Sequence, residues 1–160
     1  MLFRSAIAGP DGRVDEITFG DLAQRSRAYA AGFRRGGLPD GARVLLLVTP
    51  GLEFIAIVLG LLEAGCVLVM VDPGMDRRSL LGCIERAAPD AVIGVPPAYL
   101  LNVLGPRAFR SVRRRWTAGV PWFPFAVERL AAGAPMTPAA DVPEPDPAAV
   151  IAIGFTTGST

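Results

Sequence analysis

The chain has 160 residues, 51% of them apolar, and a formal charge of +1. That is enough polypeptide for one domain with a sizeable core, and the balance excludes a disordered segment or a basic nucleic-acid binder. All sixteen basic residues are Arg, with no Lys and no His. These residues therefore supply no Schiff-base amine, no Ser–His–Asp or Cys–His nucleophile pair and no His-containing zinc site.

The N-terminal "MLFRSAIAGPDG" has too short an apolar stretch for a secretory leader. Cys66 and Cys83 each sit in an apolar pattern and are expected to be small buried hydrophobes in a reducing, cytoplasmic compartment. Thr18 followed by Asp21 forms a capping-box pattern, with Asp in place of Glu. Behind it Leu22, Ser26, Tyr29 and Phe33 fall on one helical face, and Gly36-Gly37 closes the helix. "LPDGAR" (38–43) is a turn.

"VLLLVT" (44–49) predicts a strand covered on both faces. Pro50-Gly51 opens an almost wholly apolar helix, "LEFIAIVLGLLEAG", with Glu53 and Glu63 at its two ends, and "CVLVMVD" (66–72) predicts a second strand. A strand–helix–strand unit implies parallel pairing and a right-handed crossover. The stretch 54–71 is also long enough to be weighed as a membrane span. Glu63 near its middle, and the helix-stop "EAG" before β-branched residues, favour helix then strand in a soluble core.

"DPGMD" (72–76) reads as a turn, with Asp72 a turn residue and Asp76 the cap of "RRSLLGCIERAA" rather than metal ligands. Leu80, Leu81, Ile84 and Ala88 make that helix's inward stripe, Pro89 stops it, and "AVIGV" (91–95) is a third strand. The alternation defines an α/β fold with parallel strands and covering helices. "AYLLNVLGPRAFRSVRRRW" (98–116) predicts a helix broken at Gly105-Pro106. It carries Arg107, Arg110, Arg113, Arg114 and Arg115, whose bland reading is a solvated face and whose alternative is contact with anionic lipid head groups. Trp116, Trp122, Phe123 and Phe125 are either core or the lining of an acyl tunnel. Residues 130–147, rich in Pro and Ala, read as an extended connector, and "AVIAIGF" is a further apolar strand.

That strand runs into Thr156, Thr157, Gly158, Ser159 and Thr160. Small residues and Gly allow close backbone approach, successive loop N–H groups can cradle anionic oxygens, and hydroxyls add donors. Such a loop suits a phosphate chain beyond the carboxyl end of a parallel strand. The pattern is neither G-x-x-x-x-G-K-[ST] nor G-x-G-x-x-G.

"FTTGST" resembles the first half of the phosphate-loop signature of the adenylate-forming, AMP-binding acyl-activating superfamily, [ST]-[ST]-G-[ST]-[ST]-G-x-x-K-G. The resemblance extends back through "ITFGDLAQRSRAYAAGFRRGGLPDGARVLLLVTPGLEFIAIVLGLLEAGCVLVMVDP". "VDPGMDRRSLLGCIE" is most similar to the fatty-acyl-CoA ligase branch and its olefin-biosynthesis β-lactone synthetases. The resemblance implies the N-terminal part of an ATP- and Mg-dependent carboxylate-activating enzyme for a fatty or β-hydroxy fatty acid, with CoA as one acceptor. It implies no nucleic-acid partner. Residues 156–160 would be its cofactor-binding stretch, and no catalytic or metal residue is assigned. The adenine, ribose and magnesium motifs and the lysine-bearing lid would lie beyond Thr160, so the chain alone is expected not to adenylate. The alternative is a non-catalytic α/β remnant or interaction module from a split or frame-shifted gene.

Overall fold

A computed structural model describes residues 4–8, 14–72, 74–122, 125–132 and 149–155. Two strands, β1 (Arg4–Ala8) and β2 (Val14–Thr18), pair as an antiparallel hairpin, an element the sequence reading did not anticipate. Thr18 then caps α1 (Phe19–Arg35): its Oγ1 accepts from the Asp21 N–H at 3.0 Å, as the capping pattern predicts.

The rest is a doubly covered parallel sheet. β3 (Arg43–Leu47), β4 (Val67–Val71), β5 (Ala91–Gly94), β6 (Arg114–Thr117) and β7 (Ala152–Phe155) lie in the spatial order β6-β5-β3-β4-β7, every pair parallel. The three central strands are the continuously apolar runs. Side chains alternate between faces, so Val44, Leu46, Leu68 and Ile93 enter one core while Leu45, Val69 and Val92 enter the other. The first core is closed by α1, α2 (Leu52–Glu63) and α5 (Glu128–Ala132). The second is closed by α3 (Arg77–Ala87) and by Ala108, Phe109 and Val112.

The apolar stretch weighed as a membrane span is divided between α2 and β4, with Gly65 between them at φ 75°. Among the described residues no helix is long and apolar enough to cross a membrane. The two acids of α2 fasten it to α1. Glu53 accepts from Tyr29 and lies 3.0 Å from Arg25, and Glu63 accepts from Ser26 at 2.8 Å. Burial and the adjacent Glu53 both push the Tyr29 hydroxyl pKa up, so it stays the donor. Gly60 lets the helices touch: a Cβ there would sit 2.5 Å from the Tyr29 Cβ.

Two expectations fail locally. Ala88 is not part of the α3 stripe. It is the exposed C-cap at φ 47°, displaced from helical geometry by the following Pro89, and the buried face is Leu80, Cys83, Ile84 and Ala87. The helix expected over 98–116 is a 3₁₀ turn (Pro96–Tyr99), the one-turn α4 (Leu100–Leu104), a run of turns, and then β6. Gly105 packs against Leu81 where a Cβ would meet it at 2.6 Å, and Pro106 has no N–H to continue the ladder. Residues 130–132, assigned to the connector, finish α5, and 133–148 lie outside the described residues.

Candidate functional site

The chemistry predicted for this chain lies after β7, so the placement of that strand matters most. β7 pairs in parallel with β4, setting Leu68 against Ala152 and Val71 against Phe155. The Asp72 N–H donates to the Phe155 carbonyl at 3.1 Å. The last described residue of β7 is therefore fixed beside the turn that leaves β4, at the carboxyl end of the sheet. Thr156, Thr157, Gly158, Ser159 and Thr160 follow in sequence and lie outside the described residues.

The rest of this end of the sheet is well defined. The connections from β4 and β5 pass to the face covered by α3, and the one from β3 to the face covered by α2. Opposed exits from adjacent strands open a crevice at the carboxyl ends, the place where open parallel sheets take ligands. Asp72 Oδ1 accepts from the Gly74 N–H at 2.8 Å, and Asp76 Oδ1 accepts from Arg78 and Ser79 at 2.9 and 3.1 Å. Both acids are thus the turn and cap residues expected, and the Ser79 hydroxyl, together with those backbone N–H groups, holds the Asp76 carboxyl below its ordinary pKa. The N-terminus of α2 has no side-chain cap at Gly51. The guanidinium of Arg86 lies 5.8 Å from the Phe155 ring centroid.

Other candidates are dispersed. Trp116 is core, stacked edge-on against Phe33, whereas Trp122 and Phe125 are exposed, and Phe123 lies outside the described residues. Cys66 and Cys83 are free and buried as expected, and burial pushes the Cys66 thiol up to about 11. Arg107, Arg110, Arg113, Arg114 and Arg115 are all exposed, on turns and an edge strand instead of a helix. Hydroxyl and backbone donors such as those of 156–160 fit phosphate oxygens chemically. The described residues contain no group of three His, Cys, Asp or Glu placed to hold a metal ion.

A parallel sheet with helices on both faces is the fold of the adenylate-forming ligases. The apo structure of Mycobacterium smegmatis MbtA superposes with a TM-score of 0.72 and 27% identity, over 91% of this chain and 27% of that one. A putative long-chain-fatty-acid CoA ligase from Rhodopseudomonas palustris superposes with a TM-score of 0.69 and 23% identity, over 84% of this chain and 34% of that one. A sequence profile of AMP-binding enzymes matches residues 4–160, and the chain belongs to that family. It is 39% identical over 151 residues to the olefin β-lactone synthetase of Stenotrophomonas maltophilia, covering 90% of this chain and 26% of that protein. The chain thus spans 26% of the length of that curated relative.

Proposed function

We propose that this chain is the N-terminal portion of an ATP-dependent carboxylate-activating ligase acting on a fatty or β-hydroxy fatty acid. Thr156, Thr157, Gly158, Ser159 and Thr160 form the first half of its phosphate loop. The observation that supports this most is the parallel pairing of β7 with β4, which sets Phe155, the last described residue before that stretch, at the carboxyl end of the sheet. A β7 running the other way would carry the hydroxyl-rich stretch to the wrong end. The likeness to an olefin β-lactone synthetase supports a β-hydroxy acid as substrate.

Bound Mg-ATP would supply the electrophilic phosphorus and the pyrophosphate leaving group. The chain's own part is to position: hydroxyl and backbone N–H donors meet the phosphate oxygens as negative charge grows on the departing group. β7, which precedes those donors in sequence, is anchored to β4, and the Asp72 N–H donates to the carbonyl of its last residue, Phe155. Magnesium ligands, adenine contacts and the acyl pocket are assigned to other parts of the enzyme.

A chimera tests the reading. Residues 4–160 replace the matching segment of the Stenotrophomonas maltophilia synthetase, and β-hydroxy-acid-dependent ATP–pyrophosphate exchange is measured. The proposal predicts exchange within about tenfold of the parent, because the framework is shared. A folded chimera without exchange overturns it. The isolated 160-residue chain is predicted to show none.

A further inference from the structure

Among the described residues β7 ends the strand order and is hydrogen-bonded on one side, to β4. Its two faces are unlike. Ala152 and Gly154 are exposed, and a Cβ at Gly154 would meet no neighbouring atom within 4 Å. Ile153 and Phe155 are half-buried and pack on the core beneath α3. Alternation of this kind makes the α3 side the support for the end of the strand.

Phe155 immediately precedes the hydroxyl-rich stretch in sequence. Its carbonyl accepts from the Asp72 N–H at 3.1 Å, and the Arg86 guanidinium carbon lies over its ring, 5.8 Å from the centroid. The first contact fixes the backbone against β4, and the second fixes the ring against α3. A guanidinium within about 6 Å of an aromatic face is attracted by the ring quadrupole.

Arg86 is itself held. It lies in the last turn of α3, three residues after Cys83, so the two share a helix face. Cys83 is buried, and its sulfur accepts from the Arg86 guanidinium at 3.2 Å. The adjacent acid, Glu85, is turned to Arg110 at 3.8 Å, and Arg86 makes no ion pair with a carboxylate among the described residues. No competing acid draws the cation off the ring. A cation in the last turn also complements the helix dipole, but that role bears on stability and not on the binding of one substrate.

We propose that Arg86 is a positioning residue for ATP, acting through Phe155. The assignment rests on the ligase reading of residues 156–160. Arg86 and the Asp72 N–H hold Phe155 from two directions, so the strand end before the phosphate-binding residues is ordered before ATP arrives and not by it. Order that exists before binding favours affinity.

The test uses the chimera carrying residues 4–160, with ATP–pyrophosphate exchange measured at varied ATP and at varied β-hydroxy acid. Arg86→Ala is expected to raise the KM for ATP about fivefold, the size of one cation–π contact, with the KM for the acid and the melting temperature unchanged. Arg86→Lys keeps a cation above the ring and should restore most of the affinity. Phe155→Leu keeps an apolar side chain without the ring and should match Arg86→Ala, and the two together should be no worse than either alone. In the purified 160-residue chain, Arg86→Ala should speed hydrogen exchange at the Asp72 N–H about fivefold. An active chimera whose KM for ATP is indifferent to Arg86→Ala overturns the proposal. So do additive effects of the two substitutions, equal rises in both KM values, or unchanged hydrogen exchange. An unaltered chimera without exchange is a separate failure, of the ligase reading itself, and takes this proposal with it.

Discussion

The two edges of the sheet differ in composition and exposure. At the β7 edge Ala152 and Gly154 are exposed and small, the strand carries no charge, and its carboxyl end leads into hydroxyl-bearing residues. At the β6 edge Arg114 and Arg115 are exposed and the groove beside them is walled by aromatic rings. Between them β3 and β5 are sealed, with Val44, Leu45 and Ile93 fully buried. The centre of the sheet is a structural element, and its exposed residues lie at the margins.

This contrast is sharpened by substitutions of graded effect. The largest is expected at the helical layer that seals the centre. Gly60→Val would place its Cβ 2.5 Å from the Tyr29 Cβ and 2.8 Å from the Ser26 carbonyl oxygen. Overpacking of that kind should cost about 3 kcal/mol or more, measured by urea unfolding. Within the sheet, Leu45→Ala in β3 removes a fully buried side chain and should cost about 3 kcal/mol. Ile153→Ala in β7 removes a half-buried one and should cost about 1 kcal/mol. Equal losses at the two positions would break the distinction between centre and edge.

Alkaline pH should weaken the interior before the surface. Burial, with a smaller contribution from Asp40, raises the Cys66 thiol from 9.0 to about 11, and burial raises Tyr99 from 10.0 to about 12. Both groups are held protonated in the folded state, so the unfolded chain releases its protons first. The stability they contribute is complete below pH 9 and declines as pH rises, from 9 towards 11 for the thiol and from 10 towards 12 for the phenol. For the thiol the loss is on the order of 2 kcal/mol. Melting curves of the parent and Cys66→Ala between pH 8 and 10.5 should diverge in slope, the variant being the flatter. The smallest effect is at Ala88, exposed at φ 47°. Ala88→Gly should stabilise by about 0.5 kcal/mol, because glycine adopts that conformation without a Cβ clash.

The contrast between centre and edge also explains what was legible in the sequence. β3, β4 and β5 are continuous apolar runs because both faces are covered, so the parallel α/β class and its order of elements could be read directly. The cap at Thr18 and the cap at Asp76 were equally plain, since each depends on neighbours within three residues. β6 was unreadable: Arg113, Arg114 and Arg115 are all exposed, and Trp116 and Thr117 are both buried, so no period-two pattern exists. The run "RAFRSVRRRW" instead mimics a helix with a cationic face. The hairpin β1–β2 did have a signal, "RSAIA" and "VDEIT" flanking Gly-Pro-Asp-Gly, but two short strands without a long apolar run are weak evidence. The hydroxyl-rich stretch was singled out by its residue types alone, while the direction of the strand that precedes it became evident only from the register of β7 against β4.

The central claim is that Thr156 to Thr160 begin a cradle for the triphosphate of ATP. Its most direct measurement is ATP–pyrophosphate exchange by the chimera carrying Thr157→Val with Gly158→Val, beside the unaltered chimera. Loss of donors and of close backbone approach predicts a fall in kcat of about 100-fold or more, with the melting temperature unchanged. Exchange at the unaltered rate in a folded variant would contradict the account.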